Sequence, residues 1–130
     1  MAFAATLNMA GKDWTILSLH YSLAQETDAM GQPASIARGG KITLTVEATD
    51  DTTFFDWMTN SWERKDGSVK YKKRDSDATL KELKFKDAYL INYTENFDHN
   101  SNQPLSETVT LSAKELDLGN AKFTNNWTKN

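Results

Sequence analysis

The chain contains no cysteine, two prolines and no long apolar segment. Without cysteine it has no disulfide framework, zinc–thiolate site or thiol nucleophile. No run approaches the ~20 apolar residues of a membrane-spanning helix. The N-terminal stretch MAFAATLNMAGKDW lacks the basic start and the sustained apolar run of a conventional signal peptide. We therefore expect a protein that is made in the cytoplasm and does not insert directly into a membrane.

Neither sign of charge dominates the composition. Fifteen basic and eighteen acidic residues give a net charge of −3 and a pI near 5.3, so nothing global attracts nucleic acid or an anionic membrane. The basic cluster Lys70, Lys72, Lys73 and Arg74 is bracketed by acidic residues. A solvated or edge strand protected by lysines is the usual meaning of such a run. The sequence predicts no nucleic-acid partner.

Motifs that carry chemistry are also missing. ARGGKI has Ser35 and Ile42 where a phosphate-binding loop requires glycine and a hydroxyl residue. The acidic run at 75–77 lacks the glycine and the glutamate that complete a calcium loop. His20 and His99 share no ligand spacing with each other or with a carboxylate. We expect no enzyme activity, no metal and no cofactor.

Strand patterns fill most of the chain instead. Apolar residues alternate with polar ones from Lys41 to Thr49, and residues 3–9 and 14–23 form a predicted hairpin. Asp66–Gly67 is a predicted turn, and Asp87 marks a bulge or break. Further strands are expected at Val69–Lys73, which pairs with Leu80–Phe85, and at Tyr89–Tyr93, Leu105–Leu111 and Leu116–Leu118, with Phe123 and Trp127 anchoring the tail. Residues 1–130 therefore form a single all-β domain with one short helix, arranged as a small barrel or sandwich.

The predicted helix follows Asp50–Asp51, where the period of two gives way to helical spacing. Its apolar residues are Phe54, Phe55, Trp57, Met58 and Trp62, with Asp51 or Thr52 as the cap. About ten residues are too few for a helix that is stable alone in water. We expect these five side chains to pack on the barrel. The alternative is an exposed aromatic surface for a partner.

A long loop separates the second and third predicted strands. Residues 25–40 carry most of the turn-forming residues and little periodicity. Loops longer than ~12–15 residues are uncommon in compact domains and are usually functional or disordered. The candidate contact residues in it are Asp28, Met30, Gly31, Gln32, Pro33 and Ser35.

A family resemblance covers nearly the whole chain, from about Phe3 to Trp127. MGQPASIARGGKITLTVEATDDTTFFDWM resembles the G-x-P-S…GG-x-I-x-x-x-V-E-x-T-x-D…W-M block of the type VI secretion tube proteins (Hcp, TssD), in the branch found in Bacteroidetes. FKDAYLINYTENFD and PLSETVTLSAKELDLGN resemble the later blocks of that branch. The departures are Ala48, where serine is commoner, and Leu105, where methionine is commoner.

The resemblance implies a β-barrel of two sheets with one flanking helix, assembling into hexameric rings. Rings stack into a hollow tube inside a contractile sheath, which drives the tube, its spike and its effector cargo into a target cell. It also implies that no cofactor is needed, that export proceeds without a signal peptide, and that the long loop reaches the next ring.

Two other functions fit the same pattern of strands. One is the tail-tube protein of a phage or related contractile particle, which shares the architecture. The other is a ligand-binding barrel of lipocalin type, which predicts a monomer or small oligomer with an apolar cavity.

Overall fold

The computed structural model describes residues 3–73 and 78–127. The predicted turn at 74–77, with Arg74 of the basic cluster and the acidic run, lies outside the described residues. The elements are β1 (Phe3–Met9), β2 (Lys12–Tyr21), β3 (Lys41–Glu47), α1 (Thr53–Thr59), β4 (Arg64–Lys73), β5 (Thr79–Phe97), β6 (Leu105–Ser112), β7 (Glu115–Leu118) and β8 (Ala121–Thr124).

Six of the strands close into a barrel, which confirms the predicted fold class. The order is β4-β1-β2-β3-β6-β5, and pairing of β4 with β5 closes the cycle. Every pair is antiparallel, and β7 and β8 continue the sheet beside β5. The predicted hairpin joins β1 to β2 through Ala10 and Gly11, whose φ angles of 56° and 75° suit a tight two-residue turn.

Alternation along the strands fills the barrel interior. Ile42, Leu44 and Val46 of β3 are fully buried, as are Val109 and Leu111 of β6 beside them. The neighbouring side chains Leu7, Met9, Trp14, Val69, Leu83, Phe85, Ala88 and Leu90 complete this packed core. A ligand-binding barrel needs a cavity at this place, so the arrangement does not favour the lipocalin alternative.

The predicted turn at Asp66–Gly67 is wrong, whereas the predicted irregularity at Asp87 is a bulge inside a strand. Asp66–Gly67 lies inside β4, and Asp87 lies inside the continuous strand β5. A Cβ on Gly67 would stand 2.6 Å from Cζ of Phe85, so this glycine makes room for a core ring. Asp87 forms the expected bulge, with φ of 52° and its N–H donating to Asp66 Oδ1 at 2.8 Å. The strands predicted on either side of it, Leu80–Phe85 and Tyr89–Tyr93, both belong to β5.

Candidate assembly surfaces

The long loop between β2 and β3 is an ordered arm. Ala24 and Arg38 exchange backbone hydrogen bonds of 2.9 and 2.7 Å, and a second bridge joins Thr27 to Pro33. Ser35 Oγ accepts from the N–H of Glu26 at 2.9 Å. Backbone N–H and C=O groups that have no strand partner in the barrel therefore find hydrogen-bond partners within the arm.

Asp28 organises the tip of this arm. Its carboxylate accepts the N–H groups of Met30 and Gln32 at 2.9 and 3.0 Å, and its backbone N–H donates to Gln32 O at 2.8 Å. Gly31 supplies the positive φ of 83° that the turn needs. Met30 is 84% exposed. The structure thus brings the predicted loop residues together around one protruding apolar side chain.

Glycines and one asparagine fix the base of the arm. A Cβ on Gly39 would stand 2.3 Å from Leu23 Cδ2, and Gly40 has φ of 101°. Asn125 donates from Nδ2 to Gly39 O at 3.2 Å and to Ala113 O at 3.0 Å. The sequence analysis missed Asn125, because it lies 86 residues from Gly39.

The helix is seven residues long and packs by one face only. Phe54 and Trp57 are 1% exposed. The Phe54 ring lies 4.9 Å from that of Trp14, and Trp57 Nε1 donates to Glu63 O at 2.8 Å. These two residues are three apart, so they share the face that meets the barrel.

The other three helix-packing residues of the sequence analysis face outwards, so the predicted packing set was too large. Phe55 is 59%, Met58 36% and Trp62 82% exposed. A helix of fewer than two turns can direct only one stripe of side chains towards the barrel, and Trp62 comes after the helix ends. Phe55 and Trp62 still make edge contacts with Tyr93 and Tyr89, at 6.2 and 6.4 Å between ring centroids.

The start of the helix is held by Asp51. Its Oδ1 accepts the Thr53 N–H at 2.7 Å, and its other oxygen pairs with Lys12. The hydrogen bonds from Lys12 and then Thr53 lower the pKa of Asp51 to about 2. Of the two predicted caps, Thr52 takes the cap position without a side-chain hydrogen bond, and Asp51 supplies the bond.

A buried carboxyl group lies between β3 and β5. Glu107 is 3% exposed, its Oε2 accepts from the Tyr93 hydroxyl at 2.8 Å, and its Oε1 accepts nothing among the described residues. Burial raises the pKa of Glu107; the Tyr93 bond lowers it, and the charges of Glu95 and Asp51 raise it further. Burial, followed by the bond and charge of Glu107, raises the pKa of Tyr93.

Two strand segments lie at the edges of a four-stranded sheet of order β2-β3-β6-β5. Residues 18–21 of β2 pair with β3, whereas β1 pairs with β2 only up to Thr15. Residues 92–97 of β5 pair with β6, whereas β4 pairs with β5 only up to Tyr89. Within the residues that the structure describes, no strand pairs with the other side of either segment. The sheet therefore has one open edge at each end.

The described residues show neither a metal site nor a membrane helix. Across 3–73 and 78–127, no three His, Asp or Glu side chains are grouped so that they could hold a metal ion. In the same part of the chain, no helix is long and apolar enough to cross a membrane.

Comparisons with known proteins agree with this geometry. The family model of hemolysin coregulated protein Hcp (TssD) matches residues 1–128. Hcp1 from Flavobacterium johnsoniae is 56% identical, with a TM-score of 0.91 over 94% of this chain and 99% of that one. That organism belongs to the Bacteroidetes, which agrees with the branch named from the sequence. The comparison with curated protein sequences gives no significant match.

More distant structures share the fold. Hcp1 from Salmonella typhimurium is 14% identical, with a TM-score of 0.75 over 95% of this chain and 93% of that one. A chain in the sheath/tube terminator of the extracellular contractile injection system PVC is 19% identical, with a TM-score of 0.59 over 88% of this chain and 91% of that one. At these identities the likeness concerns architecture alone.

Proposed function

The chain belongs to the Hcp (TssD) family and is a type VI secretion tube subunit, and we propose that six copies close into a ring through the two open edges of its four-stranded sheet. The edge at residues 18–21 of one copy pairs with the edge at residues 92–97 of the next. One patch meets a different patch, so the contact is head to tail and closes when the rotation between copies is 60°.

The open edges are the observation that supports this proposal. An exposed strand edge presents unpaired N–H and C=O groups and is a template for another chain. The two edges belong to the same sheet and lie at its opposite ends. Pairing them therefore satisfies both at once and joins the six sheets into one continuous wall.

Light scattering coupled to size exclusion measures the assembly. A six-membered ring of 14.7 kDa chains has a mass of about 88 kDa. Electron micrographs should show rings with an open centre. A strictly monomeric protein from micromolar to millimolar concentration would contradict the proposal and favour a binding barrel.

The arm at residues 22–40 is the proposed contact between stacked rings. Its tip offers Met30 as an exposed apolar group among short polar ones, Asp28 and Gln32. Each contact is small, but six act together and gain strength from their linkage. The competing interpretation is an arm that only connects β2 to β3.

The role of the protein is structural, and its proposed partners are a contractile sheath, a spike and effector proteins. The proposed location is the cytoplasm during assembly and the medium or target cell after export. Immunoblotting of culture supernatants tests this proposal. Export should stop when the sheath gene is deleted and return with complementation; export that persists without a sheath would contradict it.

A further inference from the structure

Two glutamates lie directly opposite each other on neighbouring strands, on the side of the four-stranded sheet that faces the barrel core. Register places Glu95 of β5 opposite Glu107 of β6. Like charges at directly opposite positions destabilise a sheet. Glu107 is buried, and its Oε1 has no partner among the described residues. Because a buried ionised carboxylate is costly unless it is well bonded, this pair needs a source of compensation.

The hydroxyl of Tyr93 lies between the two carboxyl groups. Its oxygen is 2.8 Å from Oε2 of Glu107 and 3.2 Å from Oε1 of Glu95. A phenol has one hydrogen, so Tyr93 cannot donate to both carboxylates at once. If one carboxyl holds a proton, it donates to the Tyr93 oxygen while the Tyr93 hydroxyl donates to the other. One proton therefore completes this group of three side chains, which we call the tyrosine–carboxyl cluster.

The charges around the cluster do not neutralise it. Burial raises the pKa of Glu107, the Tyr93 bond lowers it, and the charges of Glu95 and Asp51 raise it. Lys12 of β2 is already paired with Asp51. The strand β3 and the helix α1 contribute apolar side chains to the same place, Val46 opposite Glu107 and Phe55 against the Tyr93 ring.

Two members of the cluster stand on an open strand edge. Tyr93 and Glu95 belong to residues 92–97 of β5, the segment that the proposed ring pairs with residues 18–21 of the next copy. Glu95 is exposed in the single chain, so water solvates its carboxylate. The β2 edge directs Leu19 and Tyr21 to the core side of the sheet. The next copy therefore brings a hydrocarbon and a phenol to this place rather than a cation.

We propose that closure of the ring takes up a proton at the tyrosine–carboxyl cluster, so that the contact between copies is stronger in acidic than in alkaline solution. This inference rests on the proposed ring and names a regulation of its contact. In the single chain, water compensates the Glu95 carboxylate. In the ring that water is lost, and the shared proton takes over the compensation.

The direction of the pH effect follows from which state holds the proton more tightly. The assembled cluster binds the proton more tightly than the cluster of a free chain. The added ring stability is therefore fully present at a pH below the range in which the free chain gives up this proton. It is lost as the pH rises through the range in which the ring gives it up.

Sedimentation velocity on a dilution series tests this proposal. The protein concentration at which half of the chains are in rings is measured from pH 5 to pH 9, at a constant salt of ~0.15 M. We expect this concentration to rise by about tenfold or more across the range, because each contact loses a proton. A concentration that does not change with pH would overturn the inference and leave the ring standing. One that falls as the pH rises would mean that a cation of the next copy pairs with Glu95, and would overturn it too.

Glu95→Gln supplies the missing hydrogen permanently. The amide NH₂ group donates to the Tyr93 oxygen as a protonated carboxyl does, so the half-assembly concentrations at pH 5 and pH 9 should agree within about twofold. The position is exposed, and circular dichroism checks that the variant is folded. A folded variant that forms no ring, or that keeps the wild-type pH dependence, would contradict the inference.

His20→Asn is the matched control on the other open edge. Histidine is the side chain that usually changes charge near neutral pH, and register places His20 on the opposite side of the sheet from Glu95. Rings of this variant should keep the pH dependence of the wild type. If His20→Asn removes that dependence while Glu95→Gln keeps it, the proton binds at the β2 edge and the inference is wrong.

Calorimetry counts the protons directly. Rings are diluted below the half-assembly concentration in two buffers that differ in their heat of ionisation, at the pH where that concentration changes most steeply. Wild-type rings should release about 0.5–1 proton per chain, and Glu95→Gln rings about none. Dissociation of wild-type rings without proton release would overturn the inference. A wild-type protein that forms no rings at any pH from 5 to 9 would overturn the proposed function, and this inference with it.

Discussion

At the scale of single residues, burial separates side chains that sequence analysis groups together. Trp57 and Trp62 both belong to the predicted aromatic helix, yet they are 1% and 82% exposed. Helical spacing predicts which residues share a stripe, but the bounds of a seven-residue helix decide which of them reach the core. The sequence therefore predicted that this helix docks, and its bounds determine that Phe54 and Trp57 are the side chains that do so.

Trp57→Ala should lower the free energy of unfolding by about 3–5 kcal/mol, the range for a buried aromatic. The ring is enclosed, and its Nε1 loses the bond to Glu63 O. Trp62→Ala is the matched control and should change stability by less than about 0.5 kcal/mol. Urea denaturation at one fixed protein concentration measures both. Equal losses in the two variants would mean that the helix does not dock by the face described.

Glu107→Gln should change how stability depends on pH. Burial raises the pKa of Glu107 in the folded chain, so the folded state binds the proton more tightly than the unfolded state. Wild-type stability therefore falls as the pH rises from the ordinary glutamate value of 4.5 through the raised pKa. The variant lacks this group, so its stability should fall less over that range.

Denaturation midpoints between pH 4 and 8 measure the effect in wild type and in Glu107→Gln. The difference between the two proteins should vary with pH. Parallel curves for wild type and Glu107→Gln would show that the buried carboxyl does not titrate differently in the folded state.

At the scale of elements, alternation predicted the strands, and long-range packing decided where they end. The alternation of Ile42, Leu44 and Val46 with polar residues was enough to predict a strand. The Asp66–Gly67 pair predicted a turn, and this was wrong because Gly67 makes room for the ring of Phe85 in the core. Phe85 is eighteen positions away, so no local pattern reveals the contact. The arm at residues 22–40 was predicted as a long loop, but its cross-bridges depend on pairs such as Ala24 and Arg38, which carry no sequence signal.

Shortening the arm should separate stacking from ring formation. A Gly-Ser bridge in place of Thr27–Ser35 removes the tip and keeps the hydrogen-bonded pair Ala24 and Arg38 at the base. Rings of unchanged mass should still form, while tubes and export are lost. Met30→Ser is the milder variant and should weaken stacking, because it removes the exposed apolar group.

Light scattering reports the ring, and sedimentation of tubes reports stacking. Tubes and export that survive the shortened arm would mean that it only connects strands. Loss of the rings themselves would place the arm in the contact between neighbours within a ring.

At the scale of the whole molecule, topology leaves edges that a single chain cannot pair. The barrel is closed, yet β5 is nineteen residues long, and its second half has β6 on one side only. The strand patterns predicted the barrel but not these edges. A strand edge is open where no neighbouring strand pairs with it, and the pattern of a single strand does not show which neighbours it has. The family assignment needed the order of motifs along the whole chain, since no single residue carries chemistry that would identify the function.

Disulfide cross-linking tests the closed ring directly, because the chain has no cysteine of its own. Ser18→Cys and Thr94→Cys stand on the two open edges, and both positions are exposed on the same face of the sheet. A disulfide forms when the Cα atoms come within about 4.4–6.8 Å, so the register is scanned with His20→Cys, Asn92→Cys and Asn96→Cys. After mild oxidation, non-reducing electrophoresis should give a ladder that ends at six chains. Each single-cysteine variant can form only dimers and serves as the control. A ladder that continues past six would indicate an open filament, and a double variant that also stops at dimers in every register would place the ring contact away from these edges.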